Sequence, residues 1–202
     1  MDLVVAAITF GTIFVVELPD KTFIAALVLS TRYRPLLVWI GVGLAFFVQT
    51  LVAVAAGKLA TLLPDALIQG ISAAIFVLGA IVLFRTAPRA DAEEQEQEEE
   101  YSAKATDPKT GLRAVAASFL VLFAAEWGDL SQLLTISMVA RYDDHVSVFL
   151  GAWGALLTVS GLAVLSGRLL LRHMKLSVLH YLGGSVCLIL AVVTLLELLI
   201  VS

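Results

Sequence analysis

Apolar residues run along the chain in long blocks. Six runs stand out, at about 3–30, 36–57, 66–85, 113–140, 146–167 and 176–200. Polar breaks separate them: Arg32-Tyr33-Arg34-Pro35, Lys58 through Pro64-Asp65, an acidic stretch, Arg141 through His145, and Arg168 through Lys175. Each run is about 20 residues or longer, enough to cross a hydrocarbon core of ~30 Å as an α-helix rising 1.5 Å per residue. The pattern predicts an all-α integral membrane protein with six transmembrane helices. The first and fourth runs are longer, near 28 residues, and each carries charge in its middle. Helices of that kind are expected to be kinked or broken.

Composition agrees. Of 202 residues 60% are apolar and only 15% charged, and the mean hydropathy is +0.97. A soluble fold of this length needs more polar surface, so a cytosolic enzyme and a nucleic-acid binder are excluded. Cys187 is the only cysteine and lies in an apolar run, which excludes a disulfide scaffold. The first basic residue is Lys21, so the first run is expected to be a retained helix, not a cleaved signal peptide.

Charge divides the chain into units. Residues 87–111 hold eight acids and three bases, a net of −5, while everything else nets +1. This low-complexity segment is expected to be a disordered, solvated linker between a first three-helix unit, 1–86, and a second, 112–202. The loops after the first, third and fifth helices carry ten Lys or Arg residues and the opposite side only two, Lys58 and Arg141. By the positive-inside rule the linker is cytoplasmic and both termini face outward.

The two units resemble each other. Glu17-Leu18-Pro19-Asp20-Lys21-Thr22 aligns with Glu126-Trp127-Gly128-Asp129-Leu130-Ser131 at an offset of 109. Gly41 aligns with Gly151, and Gly57-Lys58 with Gly167-Arg168, at an offset of 110. Three helices per unit is an odd number, so the units insert with opposite orientation. Inverted repeats of this kind place a transport site at the repeat interface near the midplane.

Glu17, Asp20, Glu126 and Asp129 interrupt these runs. Fourteen uncharged residues precede Glu17 and twelve precede Glu126. Carboxylates at such depth cost several kcal/mol unless they face a cavity, pair or bind an ion. Spacing i, i+3 puts each pair on one helix face, and two antiparallel helices bring both pairs to one point. Thr22, Ser131, Gln132 and, from the second helix, Gln49 add further oxygens or line the pathway. Neither motif holds Cys or His. An all-oxygen donor set favours Ca²⁺ or Mn²⁺, with Mg²⁺ also admitted. Lys21 modulates the charge without neutralising four acids, so the site needs protons or a cation. Pro19 and Gly128 loosen the helices beside the acids.

The doubled motif resembles the Glu-x-Gly-Asp-(Lys/Arg)-(Thr/Ser) signature of the GDT/MneA family of cation transporters, whose members carry manganese and calcium in Golgi, chloroplasts and bacteria. The resemblance implies metal ligation by Glu17, Asp20, Glu126 and Asp129, with hydroxyls at Thr22 and Ser131. Pro19 replaces the family's Gly, and Leu130 its base. The small size resembles bacterial members, which implies a bacterial cell membrane and Mn²⁺ efflux in exchange for protons, with no catalytic cofactor. Exchange of Ca²⁺ at the same site is the alternative. A metal-dependent intramembrane enzyme is an alternative of another class, and the symmetric duplication of the acids argues against it.

Overall fold

The computed structural model describes residues 1–18, 21–104, 111–173 and 176–201, and all regular structure within them is helical. The first run forms α1 (Leu3–Glu17) and α2 (Lys21–Arg32), which meet at 71°. Next come α3 (Pro35–Ala60) and α4 (Asp65–Thr86). A 3₁₀ turn, Ala87–Arg89, leads to α5 (Ala90–Lys104). The fourth run forms α6 (Leu112–Ala125) and α7 (Leu130–Tyr142), which meet at 74°. The chain ends with α8 (His145–His173) and α9 (Leu176–Val201). Residues 35–60, 67–89 and 145–165 are each long and apolar enough to span a bilayer, as is each bent pair taken together. That makes up to five spans, and within α9 the described residues add a shorter apolar helix, His180–Leu196.

Both expected breaks fall on the acidic motifs. Glu17 is the last residue of α1, and Glu126 caps the C-terminus of α6. Gly128 explains the second break locally. Its φ of +80° lies where a side chain is strained. Asp129 then serves as N-cap of α7, its carboxylate accepting from the Ser131 N–H at 3.5 Å.

Packing repeats between the halves. A Cβ on Gly41 would lie 2.4 Å from the Val115 carbonyl oxygen and 2.9 Å from Ser118 Cβ. A Cβ on Gly151 would lie 2.5 Å from the Ala6 carbonyl oxygen and 3.0 Å from Thr9 Cβ. Val115 and Ser118 are the repeat equivalents of Ala6 and Thr9. Thus α3 crosses α6 as α8 crosses α1, with backbones in contact because each glycine lacks a side chain. Phe10 stacks on Phe14 at 5.7 Å, and their equivalents Phe119 and Phe123 stack at 5.4 Å, both at 10°. At the α8 N-terminus, the Asp2 N–H donates to Asp144 Oδ2 at 2.9 Å and to Ser147 Oγ at 2.7 Å, which pins α1 to α8.

The linker departs from expectation. The acidic run is helical through Ala90–Lys104 and packs on α2, with Ala90 and Tyr101 buried. Glutamate is a good helix former, and the two buried residues anchor the helix. Residues 105–110 lie outside the described residues.

Candidate functional site

A glutamate at a helix C-terminus is badly placed as a bare anion, because the last carbonyls of the helix point the same way. Glu17 and Glu126 both occupy that position, and both are buried, at 0% and 3% exposure. α1 touches α7 and α2 touches α6. Each half-helix of one bent pair thus touches a half-helix of the other.

Beside the second break is a small cavity of about 10 Å³, room for about one water-sized sphere. Glu126, Ser131, Gln132 and Thr135 line it from the break and α7, and Gln49 and Thr50 from α3. Phe46 of α3 and Leu156 of α8 close it. These two are themselves repeat equivalents at an offset of 110, so the cavity sits where the halves meet. Its polar lining is a carboxylate, hydroxyls and amides, with no sulfur or imidazole.

The supporting bonds follow from the broken helix. Gln49 Nε2 donates to the Phe123 carbonyl at 3.0 Å, covering one of the last carbonyls of α6. Gln132 Oε1 accepts from the Gly128 N–H at 2.9 Å, so this amide oxygen is turned to the break. Thr135 Oγ1 donates to the Ser131 carbonyl at 2.8 Å. Thr50 Oγ1 and Thr22 Oγ1 are buried and have no hydrogen-bond partner among the described residues.

Of the residues singled out in the sequence, Glu126, Ser131, Gln132 and Gln49 come together around the cavity. Glu17 and Thr22 are fully buried at the first break and do not line it. Asp129 caps α7 and also stands outside the lining. Asp20 and Pro19 lie outside the described residues, as does the side chain of Lys21. Among the described residues no three His, Cys, Asp or Glu side chains are grouped closely enough to hold a metal ion. Sequence reasoning did not single out Thr135. The signal was its i+4 spacing from Ser131, which puts both hydroxyls on one face of α7. Leu130, where a base was expected, packs over Gly79 of α4.

The family model described as the divalent cation/proton antiporter GDT1 matches the chain twice, over residues 5–91 and 114–200. The chain is 30% identical over 198 residues to the GDT1-like protein sll0615 of Synechocystis, covering 93% of this chain and 96% of that protein. It is 29% identical over 211 residues to the chloroplastic GDT1-like protein 1 of Oryza sativa subsp. japonica, covering 95% and 61% respectively. Protein PAM71, chloroplastic, of Arabidopsis thaliana is 30% identical over 209 residues, covering 95% and 56%. The chain therefore spans about three fifths of the length of these chloroplast relatives. No solved structure matches it.

Proposed function

This chain belongs to the GDT1 family of divalent cation/proton antiporters, and from that premise we propose that it carries a divalent cation, Mn²⁺ in the first instance, out of the cytoplasm in exchange for protons. One observation carries the reading: each half breaks a membrane helix at a buried glutamate, and the second break opens on a cavity lined by oxygen and amide groups where the halves meet. The family is one of cation transporters, not enzymes.

The proposed cycle rests on charge. Glu126 holds the ion from the cavity in this conformation, and Glu17, Asp20 and Asp129 at the two breaks, with hydroxyls from Thr22 and Ser131, join the site in the course of the cycle, Lys21 trimming the net charge. Carboxylates buried at the breaks are not sustained bare. They hold either a divalent cation or protons, so each displaces the other. Oxygen donors select hard cations over Zn²⁺ or Cu⁺. The arginine-rich loops support a cytoplasmic linker and outward termini, so an inward proton gradient drives the cation out.

Alternating access has support in the packing. α4 rests on α7 and α9 on α1, the half-helices on the side of the termini. Neither pairs comparably with α6 or α2, the half-helices on the linker side, among the described residues. The α4–α9 pair is thus closed against one pair of half-helices and parted from the other, and exchanging the two arrangements carries the site from one side to the other.

The test is flux into sealed proteoliposomes offered Mn²⁺, Ca²⁺ or Mg²⁺, with a pH dye inside and the membrane potential clamped. Mn²⁺ is expected to move uphill under a pH gradient alone and to shift the internal pH in step. Mn²⁺ flux indifferent to that gradient would make the protein a uniporter. Asp20→Asn and Asp129→Asn are each expected to abolish the exchange while the protein still inserts.

A further inference from the structure

The seam between α3 and α8 is finished differently at its two ends. At the α7–α8 turn it is filled by Phe47, Phe149 and Trp153, whose ring centroids lie 5.2–5.9 Å apart. The repeat equivalents of these residues are Leu157, Trp39 and Gly43, so only one of the three rings is kept. Gly161 likewise stands where the filled end has Leu51. The second end is correspondingly hollow. A groove of about 660 Å³ opens there, walled by Leu36, Trp39, Val164 and Leu165, with Arg34 at its mouth. That volume lies within the ~300–1,000 Å³ range of ligand sites. Trp39 is held in place, its Nε1 donating to the Leu157 carbonyl at 3.0 Å. Gly161 leaves the floor open, since a Cβ there would come 3.3 Å from that indole nitrogen. The mouth is also opposite in sign, because the repeat equivalent of Arg34 is Asp144.

We propose that this groove binds an anionic phospholipid of the leaflet on the linker side, one acyl chain lying along Trp39 and Gly161 and the phosphate held by Arg34. The walls are apolar and open outward, with Leu36 64% and Leu165 83% exposed, and the Trp39 N–H is already bonded, so a chain fills the groove without desolvating a free polar group of its walls. Arg34 and Arg32 are both exposed at this turn, and an arginine at the membrane interface pairs with phosphate through charge-assisted hydrogen bonds.

Tryptophan fluorescence tests this, because brominated acyl chains quench an indole they touch. A Trp127→Phe/Trp153→Phe background leaves Trp39 as sole reporter in phosphatidylcholine vesicles doped with dibrominated phosphatidylglycerol or dibrominated phosphatidylcholine. The glycerol lipid is expected to quench at several-fold lower mole fraction. Arg34→Gln should reduce that preference about fivefold, the weight of one basic residue at an anionic surface. Gly161→Leu should fill the groove and abolish quenching by both. Native mass spectrometry of the wild-type protein should show co-purified anionic lipid that Arg34→Gln loses. Equal quenching by the two lipids, or a dimer cross-linked through Leu165→Cys with no bound lipid, would overturn the proposal.

Discussion

The two helix breaks bend almost equally, by 71° and 74°, yet their surroundings differ. Past the first, eight consecutive residues of α2, Thr22 to Leu29, are buried. In the equivalent stretch of α7, Gln132, Leu133 and Ile136 are only half-buried, and Trp127 in the second break is 59% exposed. The cover differs too, since α5 lies over α2 whereas α4 packs on α7. Opposite the breaks, Gln49 and Thr50 face Glu126, whereas the equivalent α8 positions hold Val159 and Ser160. The glycine crossings, by contrast, match to within 0.1 Å at their closest approaches. Repetition is kept where backbones touch and relaxed where an ion would be held or a half-helix would move.

The largest effect should come from exchanging the roles of the glutamates. Glu126→Gln is expected to abolish Mn²⁺ transport and to weaken Mn²⁺ binding at least about tenfold, because among the described residues it removes the only carboxylate lining the cavity. Glu17→Gln is also expected to stop transport, but to weaken binding by less than about threefold. Calorimetry on the purified variants beside flux assays checks this. Equal losses of binding would mean that both breaks serve one site in this conformation.

Next come the glycine crossings, where the halves should respond alike. Gly41→Ala and Gly151→Ala each force a methyl against a backbone carbonyl. Each should cost about 1–3 kcal/mol, or about 2–4 °C of thermal midpoint per kcal/mol. Gly11→Ala and Gly70→Ala, with nothing within 4 Å, should be neutral or mildly stabilising. Unequal shifts at Gly41 and Gly151 would break the symmetry drawn between the two crossings.

A smaller effect separates α3 from α8. Gln49→Val copies the residue at the equivalent position and removes the bond to the Phe123 carbonyl. It should cost about 0.5–1.5 kcal/mol and slow transport severalfold, whereas Val159→Ala should leave the transport rate near that of the wild type. If Val159→Ala slowed flux as much, the first half would hold an equivalent site.

The smallest effect lies outside the membrane. The Ser147 hydroxyl and the Ser147 N–H, joined by the Asp2 N–H, outweigh partial burial and lower the Asp144 carboxyl from 3.8 to about 2. A depressed carboxyl contributes stability that is complete above its ordinary value and is lost as pH falls toward the lowered one. Asp144→Asn should therefore lower the thermal midpoint slightly at pH 6, with the difference from wild type shrinking as pH falls from 4 toward 2. A difference undiminished at pH 2 would assign the loss to packing instead.

Much was legible along the chain. The spans follow from the lengths of the apolar runs, because a bilayer requires about 20 residues and allows no unsatisfied backbone. The breaks follow from acids at mid-span beside Pro19 and Gly128. The inverted repeat follows from the two hexapeptides and an odd helix count, and family membership from both motifs together. Only the tertiary structure decided which residues share a cavity. Glu126 meets Gln49 and Thr50 across two halves of the chain, Gln132 turns its oxygen to Gly128, and Asp129 is taken up as a cap. Such pairings depend on helix rotation and on local competition for hydrogen bonds, which spacing does not encode. The linker is the clearest case. Its composition is that of a solvated tether, but two buried residues, Ala90 and Tyr101, are enough to lay an acidic helix along α2, because burial depends on which surface lies within reach.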